Sequence, residues 1–183
     1  MKKQLLTLIV SLIALTSASY GEELSSLFGV ALYDNAEKYV SSNYIESNKG
    51  KHDETIDGFF YLDISDKVKN KSPYATYYEI IIDKSNIVHG VYGGSELFNL
   101  DVCEEVKESL SSTLEERHQI EFEYFEESYP EFKIFSNYYY SDADNYFSIQ
   151  CKEIYGESDA TLQVYNATSV LGEAIDDFYD SGL

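Results

Sequence analysis

The sequence predicts an α+β fold, an antiparallel sheet with helices packed on one face. Two observations carry that expectation. Segments with helical apolar spacing are few, and they are separated by strand-like runs that follow one another through short turns, so strands and helices segregate. The chain is also 44% hydrophobic and 15% aromatic with only 2 Pro and 10 Gly, which supplies a core and argues against low complexity.

Lys2 and Lys3 precede an uncharged apolar run from Leu5 to Leu15, and the small residues Ser17, Ala18 and Ser19 follow. This is the layout of a secretory signal peptide cleaved near Ser19. Residues 1–19 are therefore expected to be a leader, and residues 20–183 a single α+β domain in the periplasm or outside the cell. The run is shorter than the ~20 apolar residues a membrane span needs. No cysteine follows it and the chain ends Asp180-Ser181-Gly182-Leu183, so neither a lipid anchor nor a GPI-type tail is expected.

Leu27 to Leu32 forms an apolar lead-in. Asp34 then caps a short helix that carries Ala36, Tyr39 and Val40 at i, i+3 and i+4. Residues 46–57 have no period and read as loop. Phe59 to Ile64 reads as a strand, and a lysine-rich connection ends at Pro73. Tyr77 to Ile82 and Ile87 to Tyr92, joined by Asp83-Lys84-Ser85-Asn86, make a hairpin, after which Gly93 to Leu97 reads as a flexible loop. Asp101 caps the second helix, with Cys103, Val106, Leu110 and Leu114 inward and Glu104, Glu105, Lys107, Glu108, Glu115 and Glu116 outward.

From Ile120 the period becomes two, through Phe122 and Tyr124. After Pro130, strands run from Phe132 to Tyr140, Tyr146 to Tyr155 and Thr161 to Tyr165, separated by turns at Ser141 to Asn145 and Gly156 to Asp159. Val170 to Tyr179 is a last helix with Leu171, Ala174, Ile175 and Phe178 on one face. The order allows two helix-plus-three-strand units, at about 24–94 and 99–166.

Export places Cys103 and Cys151 in an oxidising compartment, where a lone pair is a structural disulfide. Cys151 shares the inward parity of Phe147 and Ile149, so the bridge runs from helix to strand, closes a loop of 49 residues and contributes roughly 4 kcal/mol. A redox pair would want C-x-x-C spacing and a cationic setting, and has neither.

The three histidines, His52, His89 and His118, form no metal-binding spacing, and no metal or cofactor is expected. His89 lies near Ser85 and Ser95, yet Gly93-Gly94-Ser95-Glu96-Leu97 misses the G-x-S-x-G elbow at its last position. Asp142-x-Asp144 opens like a calcium loop with Glu153 at its twelfth position, but Tyr146 and Phe147 stand where an oxygen ligand and the turn glycine belong. Asn70-Lys71-Ser72 and Asn166-Ala167-Thr168 match the N-glycosylation sequon.

With 13 Lys+Arg against 33 Asp+Glu the formal charge is −20, which argues against nucleic acid and anionic membrane surfaces as partners. Losing residues 1–19 removes two lysines and no acid, leaving −22. Tyr138, Tyr139, Tyr140, Tyr146, Tyr155 and Tyr165 fall on neighbouring strands, where phenolic rings offer contact area with a polar tip, a composition suited to protein recognition.

The lead-in Leu27-Phe28-Gly29-Val30-Ala31-Leu32, the segment Glu37-Lys38-Tyr39-Val40, the hairpin from Tyr77 to Tyr92 and Cys103 on the helix after it resemble a set of small exported bacterial proteins of uncharacterised function. The resemblance implies a Gram-negative periplasmic location and carries over no catalytic residue. The predicted topology is also similar to small secreted inhibitor and assembly-factor domains. Two readings follow. One is a non-enzymatic periplasmic protein that binds or inhibits a basic protein partner through an acidic, tyrosine-rich surface. The alternative is a carboxylate-based hydrolase, which needs two acids converging in a pocket with perturbed pKa values. The oligomeric state is left open.

Overall fold

The computed structural model describes residues 24, 26–49, 56, 58–69, 71–97, 99–141 and 144–180. The expected leader, His52, Asn70, the Asp142-Ala143 turn and the side chain of Phe178 lie outside the described residues.

The lead-in is a miniature hairpin, β1 (Ser26–Leu27) paired with β2 (Val30–Ala31). Its two-residue loop, Phe28 and Gly29, holds φ at +55° and +83°, the mirror-image turn that matches strand twist. Phe28 meets Tyr78 edge-on at 4.8 Å.

The next helix differs from expectation. Ala36–Lys38 is a single 3-10 turn capped by the Asn35 side chain, while Asp34 accepts hydrogen bonds from Lys38 and Tyr39 instead. A second start follows, α1 (Ser42–Asn48), with the Ser41 hydroxyl accepting from the Tyr44 amide at 3.3 Å. The break has a geometric cause. In one continuous helix Ile45 would point opposite Ala36, nine residues at about 100° each; restarting the chain at Ser41 buries Ala36, Val40 and Ile45 in the same core.

Strands β3 (Phe59–Asp63), β4 (Tyr77–Asp83) and β5 (Val88–Leu97) form an antiparallel meander. Asp83 Oδ1 accepts from the amides of Ser85 and Ile87 at the β4–β5 turn, and Asn86 takes φ +65°. The expected loop from Gly93 to Leu97 is strand. It pairs residue for residue with the later strand β9 (Ala160–Thr168), from Gly90↔Ala167 to Leu97↔Ala160. Its glycines serve close approach instead of flexibility: Phe28 lies over Gly93, and the Tyr77 ring over Gly94.

Helix α2 (Leu100–His118) begins one step before the expected cap, because the Asn99 side chain accepts from the Val102 amide at 2.9 Å and Asp101 sits in the first turn. Four strands follow as a second meander: β6 (Glu123–Ser128), β7 (Phe132–Ser141), β8 (Asn145–Ile154) and β9. The β6 strand starts three residues after Ile120 and is exposed throughout, since Ile120 and Phe122 turn off the helix to pack on its core. Helix α3 (Ser169–Asp180) ends the described chain.

All seven strands join one antiparallel sheet in the order β3-β4-β5-β9-β8-β7-β6, beside the two-stranded β1-β2. The two expected units are thus fused where β5 meets β9. On one face, the lead-in and α1 cover Leu62, Ile80, Ile82 and Val91. There too α2 covers Phe135, Phe147, Ile149 and Leu162, and Cys103 of α2 is bonded to Cys151 of β8 with Cα atoms 5.9 Å apart. Helix α3 lies on the opposite face, against Ile81, Ala167 and Gly90, where a β-carbon would stand 2.8 Å from Leu171. Its stripe of Leu171, Ala174 and Ile175 is the one expected, but not all helices share one face.

Candidate functional site: the tyrosine face

Because α3 covers the rows around Ile81 and Ala167, the sheet face beside it is left half-buried, with Tyr92, Tyr138, Gln150, Gln163 and Tyr165 all partly accessible. Strand pairing fixes what lines it. Ser136, Gln150, Gln163, Gly94 and Tyr77 stand in one cross-strand row, and Tyr138, Ser148, Tyr165, Tyr92 and Glu79 in the next. Ser136 and Ser148 are buried in the floor of these rows.

The rings form a continuous ladder. Phe125 of β6 contacts Tyr138 of β7 at 6.3 Å between centroids, and Tyr138 meets Tyr140 at 5.4 Å. Tyr140 meets Tyr146 of β8 at 6.0 Å, and Tyr146 meets Tyr165 of β9 at 5.3 Å. Tyr165 reaches Tyr92 of β5 at 6.3 Å, and Tyr92 reaches Tyr77 of β4 at 5.6 Å. All six of these pairs are edge-on or tilted, the arrangement aromatic quadrupoles favour. Hydroxyls link two of the steps, Tyr146 to Tyr165 at 3.2 Å and Tyr77 to Tyr92 at 3.0 Å. Gln150 Nε2 donates to Gln163 Oε1 at 2.6 Å along the floor.

Four phenols of the ladder, Tyr77, Tyr92, Tyr138 and Tyr146, are held above the ordinary tyrosine range. Burial, reinforced by the neighbouring Tyr77, pushes Tyr92 far above the ordinary tyrosine range, and burial does the same for Tyr146 beside Tyr165. Burial also raises Tyr77. Tyr138 is raised first by its hydrogen bond to Glu123, at 2.8 Å. Carboxylates ring these hydroxyls: Glu79 and Glu96 act on Tyr77, Glu123 on Tyr138 and Asp176 of α3 on Tyr146. The face is therefore a set of neutral hydrogen-bonding rings within a negative field.

Of the six tyrosines singled out in the sequence, the structure brings Tyr138, Tyr140, Tyr146 and Tyr165 together. Tyr139 faces the other way, edge-on to Phe122 under α2. Tyr155 lies one residue past β8, half-exposed, with its amide donating to the Glu131 carbonyl, away from the ladder. Tyr77, Tyr92 and Phe125 were missed. Their strand parity was readable, but the neighbourhood of β5 and β9 that joins Tyr92 to Tyr165 was not.

The residues of the motifs that the sequence matches only in part have structural places. Ser95 points to the α2 side of the sheet, opposite Leu162, with its hydroxyl donating to the Glu96 carbonyl. His89 occupies a β-bulge, with Nε2 3.6 Å from Asp83 and Nδ1 3.1 Å from the Thr168 hydroxyl. Thr168 is fully buried and accepts from the Leu171 amide, so the trio pins the start of α3 instead of presenting a nucleophile. Asn166 is buried in β9 and donates to the Leu24 carbonyl, which leaves its sequon no room for a glycan. Glu153 lies in β8 opposite Lys133.

Asp34 and Glu126 are carboxylates that depart from ordinary values, and both are lowered. Asp34 is held down by its hydrogen bonds from Lys38 and Tyr39, and Glu126 by Lys133 and Tyr124. A hydrolase's general acid requires the reverse. An open depression of about 360 Å³ beside α1 is lined by one carboxylate, Glu37, together with Lys38, Tyr39, Tyr44 and Lys67. Among the described residues no helix is long and apolar enough to cross a membrane. No family model matches the chain, and neither a curated protein nor a solved structure matches it.

Proposed function

We propose that this chain is an exported, non-enzymatic binding protein that engages a basic protein partner through its acidic, tyrosine-rich sheet face, as a binder or inhibitor of that partner. The observation that carries the reading is the seven-ring ladder across six of the seven strands. Tyrosines give large contact area at low entropy cost, with a hydroxyl that suits either donor or acceptor on a partner. The charge of the chain steers a basic partner toward that face and makes association faster at low salt. The apolar leader and the Cys103–Cys151 bridge support an oxidising destination, the periplasm or the exterior, with residues 20–183 as the mature domain.

A photoreactive phenylalanine analogue in place of Tyr165, activated in intact cells, tests the reading. A salt-sensitive adduct with a basic protein is expected from this position and not from Tyr155. Equal adducts from both positions, or partners without a basic bias, would sink it. The mass of the protein in the periplasmic fraction tests the leader, with loss of residues 1–19 expected.

A further inference from the structure

The two edges of the sheet are finished differently. At β3, the Tyr44 hydroxyl of α1 donates to the Asp63 carbonyl at 2.6 Å, and Phe59 and Leu62 are buried. At β6, all six residues from Glu123 to Ser128 are exposed, and the strand pairs only with β7. An unpaired strand edge presents a row of amides and carbonyls ready for another strand. Its side chains are far from neutral. On the ladder face stand Glu123, Phe125 and Glu127; on the other face stand Tyr124 and Glu126, with Glu104 and Glu108 of α2 close to the Tyr124 hydroxyl. Phe125 is 48% and Tyr124 57% exposed. Tyr124 itself rests on the buried Lys107, whose Nζ lies 5.0 Å from the ring centroid, so this aromatic is anchored from below.

We propose that β6 is a strand-addition site that takes an extended basic segment of the partner as an eighth strand. The alternation of the edge specifies the segment. Opposite Glu123, Phe125 and Glu127 it places basic, apolar and basic residues on the ladder face; on the other face it places an apolar residue opposite Tyr124, while Glu126, already paired with Lys133 of β7, meets the partner only as the rim of that ion pair. A second copy of this chain meets the same edge with glutamate against glutamate, so the charges that attract a basic strand repel self-pairing. The inference rests on the proposed basic partner for the class of ligand and adds its conformation and point of attachment.

The test uses the isotopically labelled protein, expressed with its own leader, and the peptide Thr-Lys-Lys-Ile-Val-Lys-Thr. Saturable shifts of the β6 amides, with slowed hydrogen exchange along β6, are expected. The same peptide N-methylated at alternate residues keeps its charge and loses the effect. Glu127→Lys weakens binding about tenfold, and Glu127→Gln by less. Equal binding of the N-methylated peptide, no saturable shift, or a dimer of the protein alone paired through β6 would overturn the proposal. Shifts at Gln163 and Tyr165 with β6 unchanged would overturn strand addition while supporting the face; no response at either place would remove both.

Discussion

Gly94 shows how a single residue is constrained by the tyrosine face. Its position between Tyr77 and Gln163 leaves no space for a side chain, because a β-carbon there would stand 2.8 Å from the Leu162 carbonyl, an atom of the central backbone that cannot move aside. At Gly93 the obstacle is the Phe28 ring at the tip of a two-residue hairpin, which can give way. Gly94→Ala is therefore expected to lose about 1–3 kcal/mol of stability and Gly93→Ala less, as read by urea unfolding; the opposite order would mean that the hairpin, not β9, holds this strand rigid. Lys107 makes the same point in the other direction. Its place in the sequence, among the glutamates of an amphipathic helix, reads as outward, yet it is 1% exposed. Tyr124, reached only after the chain has turned into β6, covers it and supplies a ring for its ammonium.

Among the elements, α2 and α3 both have apolar stripes that are plain in the sequence, and Cys103, Val106, Leu110 and Leu114 of α2 all face its core. For α2 the difficulty lies at its first turn. Its start was misplaced by two residues because Asn99 and Asp101 are both good caps, and only the backbone decides which stands in the extended conformation before the first turn. Asn99→Ala is accordingly expected to cost about 1 kcal/mol in thermal or urea unfolding and Asp101→Ala a few tenths. The strand from Gly93 to Leu97 was hidden for a related reason. Glycines and a serine carry no alternation of size, and its β character comes wholly from lying between β4 and β9. The exposed β6 shows the converse, since the alternation at Ile120 and Phe122 belongs to packing on the helix core and ends just where the strand begins.

Over the whole molecule, one device staples the second unit internally and another, the ring ladder, crosses the junction of the two units. The Cys103–Cys151 bridge joins α2 to the centre of the second meander across 48 positions, with both sulfurs in the core. Cys103→Ser/Cys151→Ser is expected to unfold at lower urea with a loss of roughly 4 kcal/mol, most of it through the freed unfolded chain. An unchanged midpoint would show that the bridge relieves nothing in that state. The ladder has its own signature. Tyr92 and Tyr146 are held far above the ordinary phenol value, whereas the unfolded chain ionises its tyrosines near pH 10. Their contribution to stability is thus whole below about pH 10 and is lost as pH rises toward the folded values. Tyrosinate absorbance is expected to lag during an alkaline titration and to rise together with the loss of far-ultraviolet ellipticity. A smooth titration of every tyrosine near pH 10 with the fold intact would contradict the ladder's burial.

By itself the sequence determined the segregation of strands from helices, the parity that turns Cys103 and Cys151 inward, and an abundance of tyrosine on neighbouring strands, because periodicity and turn chemistry act over a few residues at a time. Only the tertiary structure decided that two meanders fuse at β5 and β9, that α3 covers the opposite face from α1 and α2, and that Tyr77, Tyr92 and Phe125 complete a ladder with four of the expected rings. Those are pairings between residues far apart in the chain, set by the joint packing of whole elements, and no local spacing encodes them.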